Sequence, residues 1–259
     1  MSDLSHIFDT HSHYDSERFE SKENAEKLIS ELFDNGLSGI IHACVDFDSA
    51  AFGLEMSQKF ERFYTSIGVH PEYADSFGVA DIPKLRELAL SSKKVVAIGE
   101  IGLDYHYEGY DRERQIALFR AQIQLANELK LPVVVHSRDA TGDCMEILHE
   151  LKPRGVMHCF SGSWETAKEI LGLGMYLSFT GVLTFKNAKK AQEVVKNMPI
   201  ERLLTETDCP YMAPEPHRGE LCHSGLIEFT AKKAAELKGV EYDELLKITE
   251  RNARELFGI

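Results

Sequence analysis

Basic residues are scarce in this 259-residue sequence: 29 Lys and Arg stand against 42 Asp and Glu, a formal net charge of −13. Broad binding of nucleic acid by phosphate neutralisation needs a basic face, and this composition argues against one. It still admits an acidic protein that meets phosphates through bound cations, because those ions carry the local positive charge. The same acidity is a poor match for anionic lipid surfaces. Cysteine is sparse and unpaired: Cys44, Cys144, Cys159, Cys209 and Cys222 are scattered, and none form a C-x-x-C pair. That is the pattern of free thiols in a reducing compartment. The opening MSDLSHIFDTHSHYD is polar and lacks the apolar segment of a secretory leader. No apolar run approaches the roughly 18 residues that a membrane span requires. The expectation is a cytoplasmic protein without membrane association. No linker, repeat or charge block divides the chain, so residues 1–259 are expected to form one domain.

What the sequence does have is alternation. Short apolar, β-branched runs occur at 6–9 (HIFD), 37–45 (LSGIIHACV), 63–69 (FYTSIGV) and 94–99 (KVVAIG). They continue at 131–136 (LPVVVH), 155–160 (GVMHCF), 175–181 (MYLSFTG) and 201–206 (ERLLTE). Short continuous apolar runs bounded by turn residues describe parallel strands covered on both faces. Between them lie helical patterns at Asn24–Asn35, Ile82–Ser91, Asp111–Lys130, Ala140–Leu151, Thr166–Leu173 and Ala188–Met198. Two more follow the last run, about 221–237 and 241–257, with Asp243 or a neighbour as the expected cap of the second. Strands alternating with helices imply βαβ units and a parallel sheet. Eight of them in this length predict a single TIM-type (β/α)₈ barrel, with an open doubly wound sheet as the alternative.

The C-terminal ends of these runs carry a repeated signal. The first leads into Asp9-Thr10-His11-Ser12-His13, and in extended backbone His11 and His13 share a face. The third leads to His70, the fourth to Glu100, the fifth to His136, the sixth to His158 and the eighth to Asp208. In a barrel these ends converge on the face where TIM-barrel active sites lie. A lone histidine or carboxylate after a strand is usually a hydrogen-bonded structural residue or a cap. The coincidence at many strand ends is what points to a metal centre. His6, His42 and His149 read as structural; His106, His217 and His223 lie in loops outside the pattern. Cys159 and Cys209 flank candidate ligands and read as wall residues.

Nitrogen and oxygen donors without cysteine indicate Zn²⁺, Mn²⁺, Fe²⁺, Co²⁺ or Ni²⁺ over an all-oxygen site, with Mg²⁺ retained among the candidates. The six strand-end groups other than His70 are too many for one tetrahedral catalytic ion. Two divalent ions sharing a carboxylate fit better, an arrangement suited to hydrolysis.

The sequence resembles the TatD family of metal-dependent deoxyribonucleases along its whole length. The resemblance rests on FDTHSHYD at 8–15, GVHPEYA at 68–74, GEIGLDYHY at 99–107, the Arg-x-x-Gln segment from Arg112 and LPVVVHSRDA at 131–140. It continues with HCFSGS at 158–163, ETDCPYMAP at 206–214 and the terminal NARELFGI. It implies His11, His13 and Asp208 as ligands of one ion, His136 and His158 as ligands of a second, and Glu100 as the bridging carboxylate. Asp208 is also the implied general base. The implied reaction is hydrolysis of DNA, of the 3′–5′ exonucleolytic kind, on ends or short single strands, with no obligate protein partner. His70, Arg138 and Tyr105 are expected substrate contacts. The alternative is hydrolysis of an amide, lactone or aminoacyl ester, since fold and metals do not fix the substrate. After Arg218-Gly219 this chain reads Glu220-Leu221-Cys222-His223-Ser224, where the family pattern has a basic residue and then Arg-Asn-Glu-Pro, so no substrate contact is carried over from that loop.

Overall fold

The computed structural model describes residues 4–259. Eight strands form one sheet in chain order: β1 (Phe8–Ser12), β2 (Gly39–His42), β3 (Phe63–Ile67), β4 (Val95–Asp104), β5 (Val133–Arg138), β6 (Gly155–Met157), β7 (Tyr176–Phe179) and β8 (Leu203–Thr205). Every neighbouring pair is parallel. The chain beyond β8 returns to β1 through a parallel bridge between Ser12 and Cys209, with Asp208 N donating to His11 O at 2.9 Å and His13 N to Cys209 O at 2.8 Å. The eight-stranded barrel is thereby nearly closed, as the alternating pattern predicts, and the open-sheet alternative falls.

The helices are α1 (Lys22–Asp34), α2 (Phe47–Lys59), α3 (Ile82–Ser91), α4 (Arg112–Leu129), α5 (Thr141–Leu151), α6 (Trp164–Gly172), α7 (Lys189–Asn197), α8 (Ile227–Lys238) and α9 (Tyr242–Phe257). Helix α2 has no counterpart in the sequence reading. Its start is nonetheless encoded, by a capping box in which Asp46 accepts from Ser49 N and Ser49 Oγ accepts from Asp46 N. Residues 221–226 precede α8, with only Ser224–Leu226 forming a 3₁₀ turn. Helix α9 begins after Glu241, which makes no side-chain cap; Asp243 sits inside the first turn, where a negative charge favours the helix dipole.

The barrel interior is graded. Phe8, Ile41, Val96, Val134, Val156, Tyr176 and Leu204 form an apolar layer that Ala253, Leu256 and Phe257 of α9 close from below. Burying one such side chain contributes about 1.5–3 kcal/mol. Two residues further along, the same faces carry Thr10, His136, Ser178 and Glu206. The strands therefore run from an apolar floor to a polar mouth.

Candidate metal centre

β1 supplies His11, and His13 follows it directly. Their Nε2 atoms approach to 3.0 Å. His13 Nδ1 donates to Ala43 O at 2.9 Å, which leaves Nε2 as the nitrogen turned to the carboxylates. Glu100 does not end its strand, as the sequence reading had it; it lies inside β4, which continues to Asp104. Between Ile98 and Ile101 two residues of β4, Gly99 and Glu100, face one of β5, Val134, a bulge that re-aims the Glu100 side chain. Gly102 makes the close approach possible. Its φ is +151°, and a Cβ there would sit 1.9 Å from His136 O. A glycine thus keeps Glu100 beside His136.

The Glu100 carboxylate, 3% exposed at residue level, is shared between two sets of donors. Its Oε2 lies 3.2 Å from His11 Nε2 and 3.5 Å from His13 Nε2. Its Oε1 lies 2.9 Å from His136 Nδ1 and 2.8 Å from His158 Nε2, which are themselves 3.3 Å apart. Asp208 Oδ1 joins the first set, 3.3 Å from His13 Nε2 and 3.6 Å from His11 Nε2. Asp208 has φ +59°, a left-handed conformation that costs most residues energy and that Asp tolerates comparatively well.

Partners behind the ring fix which nitrogen faces inward. His136 Nε2 contacts Asp104 Oδ2 at 3.0 Å. His158 Nδ1 lies 3.6 Å from Glu206 Oε1, which also accepts from Cys159 N at 2.6 Å. Carboxylates placed behind ligating imidazoles orient the ring and raise its basicity. His70 behaves differently. Its Nδ1 accepts from Glu72 N at 3.3 Å, and burial holds its pKa down at about 3. A neutral ring whose Nδ1 accepts carries its proton on Nε2, so His70 presents a donor to the centre, 3.6 Å from Glu100 Oε1.

Burial opposes ionisation of Glu100, yet His158, His11 and His70 outweigh it and hold the carboxyl well below its usual range. Asp208 is lowered against its own burial by His13 and His11. Burial also opposes charge on His13, but Asp208 and Glu100 hold it up at about 9. Two ionised carboxylates amid four inward-facing imidazole nitrogens are the donor set of divalent transition-type cations. Three overlapping triads gather close enough for an ion, His11–His158–Asp208, His11–His13–Glu100 and His70–Glu100–His136, and the third would need His70 to give up its Nε2 proton. The cluster opens into a cavity of about 730 Å³ lined in part by Asp15, Tyr107, Arg138, Cys159 and Tyr211.

The TatD related DNase family profile matches residues 8–258. The chain belongs to the TatD family. An uncharacterized metal-dependent hydrolase of Bacillus subtilis, YabD, is 41% identical across 98% of this chain and 99% of its own. A second, YcfH of Escherichia coli, is 37% identical across 98% and 96%. Among solved structures, the TatD homologue YjjV of Escherichia coli superposes with a TM-score of 0.91 at 27% identity, covering 99% of each chain. A phosphotriesterase homology protein of Escherichia coli, at 14% identity and TM-score 0.69 over 99% of this chain and 100% of that one, shares the fold. This TatD-family protein is a metal-dependent hydrolase.

The structure brings His11, His13, Glu100, His136, His158 and Asp208 together, and sets His70 and Arg138 on the same cavity wall. It does not bring Tyr105 there. That ring stacks on Tyr110 with centroids 4.6 Å apart, and its hydroxyl donates to Asp143 at 2.7 Å. The aromatic residue of this loop that lines the cavity is Tyr107. His106, His217 and His223 are engaged elsewhere, with Asp139, Glu220 and the Gly225 N–H respectively. The divergent loop is tied to β1: Ser224 Oγ donates to Asp9 Oδ2 at 2.7 Å, and Tyr14 Oη lies 2.7 Å from Ser224 Oγ. Cys159 lines the cavity, its thiol pushed up to about 12 by burial, and Cys209 is fully buried. Sequence reasoning gave Glu206 no role, although it stands two residues before Asp208, the same spacing that singled out His11 and His13.

Proposed function

We propose that this hydrolase is a two-metal phosphodiesterase that trims DNA from a 3′ end, in the reducing cytoplasm its five free thiols suit. The observation that carries the reading is Glu100, with one carboxylate oxygen turned to His11 and His13 and the other to His136 and His158. One ion is assigned to His11, His13 and Asp208, a second to His136 and His158, with Glu100 shared. When bound, such ions make water acidic enough to lose a proton near neutral pH and offset the charge gathering on phosphoryl oxygens. Zn²⁺, Mn²⁺, Co²⁺ and Ni²⁺ match the mixed imidazole–carboxylate set; Mg²⁺ matches it less well.

The chain's own groups perform the remaining steps. Asp208, ionised and facing the cavity, takes the proton from the attacking water. The water oxygen bonds to phosphorus as the bond to the 3′ oxygen breaks, and the proton passes on to that leaving oxygen. His70 Nε2–H gives a hydrogen bond to a phosphoryl oxygen, and Arg138 supplies a guanidinium from the cavity wall. Buried acidic residues repel a polyanion, so cations are a condition of substrate entry.

The test is a metal-supplemented assay of 5′-labelled single-stranded DNA beside a panel of amides, lactones and aminoacyl esters. Stepwise shortening of the strand, abolished by chelation, is the expected result. Turnover of the panel with DNA left intact overturns the reading.

A further inference from the structure

Among the described residues, Tyr73, Tyr107, Tyr110 and Tyr211 are exposed, and three of them, Tyr73, Tyr107 and Tyr211, line the cavity above the cluster. Two of these carry an arginine over the ring. The Arg138 guanidinium carbon lies 5.1 Å from the Tyr107 centroid, and Nη1 donates to its hydroxyl at 3.2 Å. The Arg18 guanidinium carbon lies 5.2 Å from the Tyr211 centroid.

Their placement follows from topology. Tyr107 comes from the loop after β4 and Arg138 from the end of β5. Tyr211 comes from the segment after β8 and Arg18 from the loop after β1. The strands run in order around the barrel and β8 returns to β1, so these two pairs of strands occupy opposite quadrants of the mouth. One tyrosine–arginine pair stands on each side of the cluster.

The geometry points to two base-stacking platforms, Tyr107–Arg138 and Tyr211–Arg18, that receive the nucleobases on either side of the scissile phosphodiester. This rests on the nuclease reading above and adds to it the residues that grip the strand. Tyrosine faces accept any base, and each arginine adds cation–π attraction and a phosphate donor without a broad basic surface. A chain of net charge −13 can hold a strand in this way. Bases still paired in a duplex are stacked and cannot turn onto the platforms, so the grip selects unpaired ends.

The experiment compares intact oligothymidylate with strands carrying one abasic nucleoside, using the metal-loaded wild type and Tyr107→Ala, Tyr211→Ala, Tyr107→Phe and Tyr211→Phe variants. Removing a base beside the reacting phosphate is expected to lower wild-type kcat/KM by roughly 5- to 150-fold, and each alanine variant to lose a similar factor on the intact strand. For the base a given tyrosine carries, the two losses should not add, and phenylalanine should restore the intact-strand rate. Circular dichroism verifies that the variants are folded. Alanine variants that cleave at the wild-type rate, or that slow equally on intact and abasic strands, overturn the platforms while leaving the nuclease reading intact. A wild type that cleaves no strand removes both, a pattern distinct from the first.

Discussion

Replacing Glu206 by glutamine removes a buried charge while keeping the shape and one acceptor oxygen. Glu206 accepts from Cys159 N at 2.6 Å and stands 3.6 Å from His158 Nδ1, which has no hydrogen-bond partner within reach. The carboxylate favours a proton on Nδ1. His158 Nε2, 2.8 Å from Glu100, is then the lone pair turned to a cation. Glutamine retains the Cys159 bond, so the fold should persist, but it no longer selects that tautomer. Carboxylates behind ligating histidines are worth roughly 10–100-fold in metal affinity, which is about 1.4–2.7 kcal/mol. Calorimetric titration of Zn²⁺ into metal-stripped protein should show that loss for the ion on the His136–His158 side and a smaller change for the other. Long-range ¹H–¹⁵N spectra of the zinc-loaded protein should show the His158 tautomer disturbed. Equal affinities in both proteins, with the His158 signals unmoved, would refute the role.

Asp208→Asn should preserve the melting temperature, because asparagine tolerates the +59° φ; its turnover should fall at least roughly 10²–10⁴-fold, and a near-normal rate with metal bound refutes the assignment. His42 is fully buried, and burial holds its pKa down at about 4. Its contribution is complete above the unfolded value of about 6.5 and is lost as pH falls towards 4; metal-stripped wild type should therefore lose about 2 kcal/mol more than His42→Leu between pH 7.5 and 5. Parallel denaturation curves over that range would contradict this. Binding of a short single strand with a non-hydrolysable backbone should vanish on chelation and show a shallow salt slope, whereas many Lys or Arg contacts give a slope near −0.9 per phosphate.

The barrel was legible because its strands are short, β-branched and covered on both faces, a pattern that survives without tertiary information. The strand-end histidines were legible for the same reason: a parallel barrel turns position along each strand into position in space. What escaped depended on departures from regular backbone. Period-two alternation cannot reveal the bulge that places Glu100 inside β4, nor the left-handed φ of +45° at Cys159, although that residue was read as part of the cavity wall. Helix α2 turns Ser49, Gly53 and Ser57 inward, so its apolar periodicity is faint although its capping box is plain. Tyr105 and Tyr107 lie two residues apart in one loop, and only the turn of that loop decides which faces the cavity. Glu206 was within reach, since its spacing from Asp208 repeats the H-x-H step of β1.

The central claim is that one carboxylate holds two ions. Crystals of protein reconstituted with Mn²⁺ or Zn²⁺, measured on either side of the metal absorption edge, test it most directly. The account predicts two anomalous peaks about 3.5–4 Å apart, one bonded to Glu100 Oε2 among His11, His13 and Asp208, the other to Glu100 Oε1 between His136 and His158. A single peak at saturating metal, or two peaks of which Glu100 touches only one, would contradict it.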